Sequence, residues 1–483
     1  MKLSELIYEG EYLSCDTDLD DTVEGVFVHA EDLCDGGVLI IPSDNRDVNI
    51  ALLKAAPKVV ICGANTVLPH NIPTIRVENP RIAYANVFYR HSGFNASGIT
   101  MIGVTGTNGK TTTATLIEQI LTECGTEVGF IGTGRIAIRG RDITPSSYSM
   151  TTPDPHLLYP VLRRMKDEGC HAIVMEVSSH ALSLSKLAPL RFDYGIFTNM
   201  SAEHLDFHRN MESYYQAKKR LFDISGCGIF NIDEPYSRRA MNEYAGHKIS
   251  VGIVYKADVW ATIIESRDLL GTEYIYCDGD SSFKVSLPLP GSYNVYNSLM
   301  AAAVCIDMGC KPREVKAILS SAQPPSGRYE VIKNKITVII DYAHTPEAFE
   351  CVLREIAKAK KDSRLTVLFG CGGDRDKKKR PKMAAIAERY ADKIIVTSDN
   401  SRTENPKSII CDIISGFSGG GYEVCENRGE AIRQAILSSE EHDIIAIIGK
   451  GPERYNIDSH GYHPFDEREI IYSSIRERYG DEA

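Results

Sequence analysis

The sequence predicts an α/β protein of three domains with mainly parallel sheets, and three observations carry that prediction. Short runs that are apolar throughout recur along the 483 residues, each followed by a polar or glycine-rich turn and then a helical pattern. Strands that are apolar on both faces belong to parallel sheets covered by helices. The chemically unusual residues fall at the carboxyl ends of these runs, where open α/β sheets bind ligands. At about 150 residues per domain, the length gives about three domains.

Taken in order, the runs are Thr100–Val104, Ala172–Val177, Tyr194–Phe197, Ile336–Ile340, Leu365–Phe369, Lys393–Val396 and Ile444–Ile448. The amphipathic stretches Thr112–Cys124 and Met383–Ala391 are expected helices between them. A smaller N-terminal α/β domain is expected over residues 1–95, a central domain over 96–326 and a third over 327–483. Pro324-Pro325-Ser326-Gly327 reads as the turn or linker before the third.

Composition narrows the class. Hydrophobic residues at 43% and charged residues at 25% are those of a globular chain, which excludes disorder and fibrous repeats. The net charge of −11 turns the bulk field against nucleic acid and anionic membranes, so an anionic substrate needs a local basic site. Thirteen scattered cysteines, odd in number and with no C-x-x-C pair, read as free thiols in a reducing compartment. The N-terminus has no apolar signal segment, and no apolar run approaches the ~18 residues that span a bilayer. The expectation is a cytoplasmic monomer without nucleic-acid or membrane partners.

The strongest motif is Gly106-Thr107-Asn108-Gly109-Lys110-Thr111-Thr112, between a strand-like run and a helix. Its glycines let backbone N–H groups close on phosphate oxygens at a helix N-terminus. Lys110 can reach the β/γ-phosphates and Thr111 can hold Mg²⁺. Val104 stands where the first glycine of a usual P-loop would be. Further on, Glu176 ends a strand and is an oxygen ligand of the kind Mg²⁺ prefers. His204 and His208 have helical zinc spacing, but no third ligand or cysteine stands nearby. On composition alone, Tyr214-Tyr215-Gln216-Ala217-Lys218-Lys219-Arg220-Leu221-Phe222 reads as a solvated basic helix face.

Ten motifs in order carry a resemblance. They are GTNGKTTT, TTPD (from Thr151), EVSSHAL (from Glu176), TNMSAEHLDFH, YYQAKKRLF, LPGSYNVYNSLMA (from Leu289), SGRYE, DYAHTPEA (from Asp341), GCGGDRDKKKRP and SDNSRTENP (from Ser398). Together they resemble the Mur ligase family, most of all its branch that adds the third residue of the peptidoglycan stem peptide. The resemblance implies a P-loop ATPase-like central domain and a Rossmann-like C-terminal domain. It also implies ATP-dependent ligation of a diamino acid to a UDP-muramoyl-dipeptide through an acyl phosphate.

On that resemblance, Lys110, Glu176, His204 and Lys218 would be catalytic. Thr111 and Glu176 would hold one Mg²⁺ and His204 a second, with Lys218 carbamylated to N6-carboxylysine. Gly106, Thr107, Asn108, Gly109, Lys110, Thr111 and Thr112 would grip the ATP phosphates. Asn294 and Asn297 match adenine-side positions, and Arg328 and Asp341 ribose- and phosphate-side positions. Thr151, Thr152, Ser178 and Lys186 match acceptor-binding positions.

The same resemblance assigns Arg375, Asp399, Asn400, Arg402, Gly449 and Glu453 to the incoming amino acid. An arginine fork suits a distal carboxylate, so Arg402 favours meso-diaminopimelate over lysine. Three positions depart from the family: Pro452 replaces a histidine, Lys186 an arginine, and Cys15-Asp16-Thr17-Asp18 the uridine-binding Asp-Ser-Arg. The last leaves an alternative reading, a Mur-like ligase for a different carboxylate acceptor.

Overall fold

Ile444-Ile445-Ala446-Ile447-Ile448 shows how such runs dictate the architecture: all five residues are buried. Ile444, Ala446 and Ile448 enter one apolar cluster, and Ile445 and Ile447 another. Strand side chains alternate between faces, so the run demands helices on both sides of its sheet. The computed structural model describes residues 1–29, 31–43, 56–68, 72–145 and 148–480. Of the expected N-terminal domain, positions 30, 44–55 and 69–71 therefore lie outside the described residues.

In chain order the elements begin with α1 (Leu3–Leu6), β1 (Ser14–Cys15), β2 (Val26–Phe27), β3 (Val38–Ile40), β4 (Val59–Gly63), β5 (Thr74–Val77) and α2 (Pro80–Ser92). Next come β6 (Thr100–Thr105), α3 (Lys110–Glu123), β7 (Val128–Gly132), β8 (Arg135–Ile138), β9 (Arg141–Asp142), α4 (Pro155–Asp167), β10 (Ala172–Glu176), α5 (Ser179–Ser183) and β11 (Phe192–Phe197). Then follow α6 (Leu205–His208), α7 (Met211–Lys219), β12 (Ser225–Asn231), α8 (Pro235–Glu243), β13 (His247–Gly252), β14 (Val259–Ser266), β15 (Thr272–Cys277), β16 (Ser282–Leu287), α9 (Ser292–Asp307) and α10 (Pro312–Ser320). The last are β17 (Glu330–Lys333), β18 (Thr337–Asp341), α11 (Pro346–Ala359), β19 (Leu365–Phe369), α12 (Lys379–Tyr390), β20 (Lys393–Val396), α13 (Pro406–Ile414), β21 (Tyr422–Val424), α14 (Arg428–Leu437), β22 (Ile444–Ile448), β23 (Tyr455–Asp458), β24 (Gly461–Pro464) and α15 (Glu467–Tyr479). The seven runs expected as strands are β6, β10, β11, β18, β19, β20 and β22.

Two compact units are interleaved along the chain. The first holds Met1–Thr105, Gly125–Ile196 and Gln216–Gly228; the second holds Gly106–Cys124, Phe197–Tyr215 and Ile229–Ala483. In the first, β2 to β5 pair in parallel and β1 joins antiparallel. There too β10 lies parallel between β6 and β7, with Ala172 opposite both Thr100 and Val128. In the second unit, β14, β15 and β16 form an antiparallel meander. Its largest sheet runs β17-β18-β22-β19-β20-β21, all parallel except β17.

Helices cover both faces of that sheet. Phe349 and Leu353 of α11, Met383 of α12 and Ile413 of α13 pack on one side. Ile432 of α14 and Ile471 of α15 pack on the other. Local chemistry sets where two of these helices start. Thr345 and Asn405 accept backbone N–H groups at the N-caps of α11 and α13, and a proline follows each, where its missing donor costs nothing. Arg328 N donates to Pro325 O (3.0 Å), closing a turn over the expected linker.

One expectation is corrected. The segment expected as a solvated basic face buries Tyr214, Tyr215, Ala217 and Lys218, Lys218 being only 1% exposed. Two tyrosines at adjacent positions outweigh the charge pattern, because their apolar area drives α7 inward. All thirteen cysteines are free. No helix among the described residues is long and apolar enough to cross a membrane.

Candidate active site

The phosphate-binding loop leaves the end of β6 and closes at Gly109, the N-cap of α3. Two glycines there are obligatory. Gly106 has φ +148 and a Cβ on it would meet Thr198 Oγ1 at 1.8 Å; Gly109 has φ +84 and a Cβ would meet Asn297 Oδ1 at 2.4 Å. The loop is braced by the segment after β11. Thr198 Oγ1 donates to Asn108 O (2.6 Å) and Asn108 N donates to Asn199 Oδ1 (3.0 Å). Ser201 N donates to Thr107 Oγ1 (3.0 Å), which also contacts Tyr214 Oη (3.1 Å). Lys110 Nζ donates to the carbonyls of Gly106 (2.9 Å) and Thr107 (2.8 Å), so its charge is held inside the loop it serves.

A cavity of about 440 Å³ opens beside this loop, within the second unit. Asn108, Gly109, Thr112, Asn294, Asn297, Arg328 and Asp341, all singled out from sequence, line it together. Asn297 Nδ2 donates to Asn294 Oδ1 (3.1 Å), and Thr113 Oγ1 to Asn297 Oδ1 (3.3 Å), which ties α9 to α3. Arg328 Nη2 donates to Thr111 Oγ1 (3.2 Å), and its guanidinium lies over the Tyr342 ring at 4.4 Å. Asp341 accepts from Tyr329 N and Ala343 N, each at 2.7 Å. Burial still leaves its carboxyl above the usual range, against the lowering effect of Arg328.

Sequence reasoning missed the wall formed by Tyr342 and His344. His344 Nε2 lies 2.8 Å from Glu203 Oε1. Burial alone would raise Glu203, but His344, His204 and Lys110 hold it well below the ordinary carboxylate range. The DYAHTPEA motif contained the signal for His344 and TNMSAEHLDFH that for Glu203, but neither showed that the two would pair.

The residues expected to meet the amino acid come together in the same unit, on loops after β19, β20 and β22. Asn400 Nδ2 donates to Glu453 Oε2 (2.7 Å), and Lys450 Nζ to Asn400 Oδ1 (2.9 Å). Lys450, given no role in the sequence reading, is wholly buried, 3.5 Å from Glu453 Oε2 and 3.7 Å from Asp399 Oδ1. A Cβ on Gly449 (φ +123) would lie 2.9 Å from Asp399 Oδ2. Arg375 and Arg402 flank Gly372, where a Cβ would lie 3.9 Å from Arg375 Cγ and 2.9 Å from Arg402 Nη1.

In the first unit, Glu176 ends β10 and is fully buried. Its Oε1 accepts from Thr133 N (2.9 Å) and its Oε2 from Thr133 Oγ1 (3.1 Å). Thr133 Oγ1 also contacts Thr151 Oγ1 at 3.1 Å. Thr152 Oγ1 donates to Glu176 O (2.9 Å) and accepts from Ser178 N (3.0 Å). Lys186 pairs with Asp154 (2.8 Å) and reaches Thr152 O (3.4 Å). Thr151, Thr152, Ser178, Lys186 and Glu176 thus form one polar cluster. Lys218 is buried in the same unit.

The donor set distinguishes between metals. No group of three His, Cys, Asp or Glu side chains placed to hold a metal occurs among the described residues. The Thr111 hydroxyl in the second unit and the Glu176 carboxylate in the first are each oxygen donors of the kind that Mg²⁺ prefers.

Comparison with known proteins places the chain among relatives of one family. The Mur ligase middle domain family matches residues 104–305, and the Mur ligase, glutamate ligase domain family matches 327–451. UDP-N-acetylmuramoyl-L-alanyl-D-glutamate--2,6-diaminopimelate ligase 1 of Clostridium acetobutylicum is 35% identical over 99% of this chain and 100% of its own length. The corresponding ligase of Geobacillus kaustophilus is 37% identical over 89% of this chain and 88% of its own. Among solved structures, a UDP-N-acetylmuramoyl-L-alanyl-D-glutamate--2,6-diaminopimelate ligase superposes with TM-score 0.66 at 26% identity, covering 99% of both chains. Thermotoga maritima MurF ligase, solved with ADP, shares the fold at TM-score 0.62 and 15% identity, over 95% of this chain and 98% of its own.

Proposed function

The chain belongs to the Mur ligase family, and on that premise we propose that it joins 2,6-diaminopimelate to UDP-N-acetylmuramoyl-L-alanyl-D-glutamate, converting ATP to ADP and phosphate. The observation that carries this reading is the pair of sites in the second unit. A phosphate loop opens on a nucleotide-sized cavity, and the loops after β19, β20 and β22 converge Arg375, Arg402, Asn400 and Glu453. The acceptor is a nucleotide-linked dipeptide, for which Thr151, Thr152, Ser178 and Lys186 form the polar cluster. We assign residues 1–95, 96–326 and 327–483 to acceptor, ATP and amino-acid domains. The free thiols suit a cytoplasmic setting.

The chemistry follows from charge. An acceptor carboxylate oxygen bonds to the γ-phosphorus of ATP as the bond to ADP breaks, giving an acyl phosphate. The amine of diaminopimelate then bonds to the acyl carbon, sheds a proton, and phosphate leaves as the C–O bond breaks. Lys110 and the N–H groups of residues 106–112 bind the transferring phosphoryl, which is mostly positioning and electrostatics. Arg328 holds phosphate or ribose oxygens, Asp341 a ribose hydroxyl, and Asn294 with Asn297 the base. Thr111 and His204 of the second unit, and Glu176 with Lys218 as N6-carboxylysine in the first, are the residues that would offer ligands to Mg²⁺, whose charge neutralises phosphate oxygens when bound. Arg402 takes the distal carboxylate and Glu453 an amine.

The test is a turnover screen offering the nucleotide dipeptide with diaminopimelate, lysine and other amino acids. Amide product and phosphate in equal amounts, best with diaminopimelate, are expected. Lys110→Ala should lower kcat by about 10²–10³-fold, the cost of losing one donor to developing charge. Turnover only with a different carboxylate acceptor would replace this reading with the alternative ligase.

A further inference from the structure

Two loops carry the arginines assigned to the amino acid: residues 370–376 after β19 and 398–404 after β20. They approach to atomic contact. Gly373 N donates to Asn400 O (2.8 Å), Arg402 Nη1 donates back to Gly373 O (2.8 Å), and a Cβ on Gly373 would meet Ser401 O at 1.9 Å. Each loop also passes through the left-handed region at a non-glycine, Asp374 at φ +53 and Arg402 at φ +51. Such backbone persists only where its surroundings over-determine it.

The over-determining contacts are specific. Asp374 accepts from Thr403 Oγ1 (2.7 Å) and Thr403 N (3.2 Å), while Asp374 N donates to Glu404 Oε1 (2.6 Å). Beneath both loops lies Arg380, in the first turn of α12 and wholly buried. Its Nη2 and Nη1 donate to Glu404 Oε1 (2.8 Å) and Oε2 (3.0 Å). Nη2 also donates to Gly372 O (3.2 Å), and Nη1 to Asp412 Oδ2 (2.7 Å). One guanidinium thus grips the carbonyl at the centre of the first loop and the carboxylate at the end of the second. A buried ion pair is weak evidence for stability, since apolar residues of similar volume serve as well. Here every bond of the fork ends on a loop bearing a substrate residue, or on α13 directly after it.

We propose that Arg380 and Glu404 are positioning residues that set the separation of Arg375 from Arg402 and thereby select an amino acid with a distal carboxylate. The proposal rests on the assignment of Arg402 made above. Neither residue needs to touch the substrate. A planar carboxylate is bound bidentately only when the receiving forks hold a fixed spacing and orientation.

The test compares steady-state ligation by Glu404→Gln and Arg380→Lys with that by the unaltered protein, using diaminopimelate and lysine as rival substrates. The expected result is a KM for diaminopimelate raised about tenfold, as a sub-ångström misplacement predicts, with kcat and the KM for ATP held. The kcat/KM preference for diaminopimelate over lysine should fall by the same factor. Thr403→Val, on an exposed residue, removes one bond to Asp374 and should move the preference in the same direction even where Arg380→Lys fails to fold. A folded Glu404→Gln protein with unaltered preference and unaltered KM overturns the proposal. Failure of the unaltered protein to use diaminopimelate overturns the proposed function instead, and positioning is then judged on the KM for the amino acid it does ligate.

Discussion

Glu404 shows how far one carboxylate can be committed by its neighbours. Hydrogen bonds from Arg380 lead, and with Asp374 N and Lys377 they outweigh burial and bring its carboxyl down to about 2. In an unfolded chain the same group titrates near 4.3. Because the folded form binds its proton less readily, the interaction stabilises fully above about pH 5 and is lost as pH falls toward 2. The stability gap between the unaltered protein and Glu404→Gln, measured by urea unfolding, should therefore be constant from pH 7 to 5 and shrink at pH 4 and 3. An equal gap at pH 3 and pH 7 would show that Glu404 is not held ionised by Arg380. Sequence alone hid this pair: in Lys377-Lys378-Lys379-Arg380 nothing separates the buried last residue from the exposed first two. Only the rotation of α12 against its sheet does so.

At the scale of elements, the strands were legible because burial on both faces favours apolar residues throughout, as in β22. The phosphate loop was legible for a related reason. Its glycines answer steric demands visible in their own φ values, and its position after a strand was fixed by the runs around it. Helix α7 was not legible, because a mixture of lysine and tyrosine suits either face and only tertiary packing chooses. The DYAHTPEA motif marked Tyr342 and His344 but not the wall they form, which arises where the chain turns after β18. Gly109 tests the element argument directly. Alanine there must adopt φ near +84 and place its Cβ 2.4 Å from Asn297 Oδ1. The left-handed conformation alone costs about 1–2 kcal/mol. Gly109→Ala should lose at least that much stability in urea and raise the KM for ATP, because relief of the clash displaces Asn297 from the cavity. Stability and KM like those of the unaltered protein would mean that α9 gives way without affecting the site.

For the whole molecule, the relevant contrast is between a net charge of −11 and a substrate set made of polyanions. The overall field offers no attraction, so binding must come from local cations, and the nucleotide cavity shows how. Arg328 is fixed there by Thr111 and the Tyr342 ring, and Lys110 by two loop carbonyls, before any ligand arrives. Such preorganisation spares the entropy of ordering these side chains on binding. The nucleotide should therefore bind without the acceptor or the amino acid. ADP at a hundred times its Kd should stabilise the folded protein by about 2.7 kcal/mol, read as a rise of a few degrees in Tm. Arg328→Ala removes a charge-assisted contact of about 1.5–3 kcal/mol, so at the same ADP concentration most of that rise should vanish while the Tm without ligand changes little. Retention of the full rise would place the phosphate grip on Lys110 and the loop N–H groups alone. A rise seen only when acceptor is also present would mean that the cavity is completed by the substrate and not by the residues that line it.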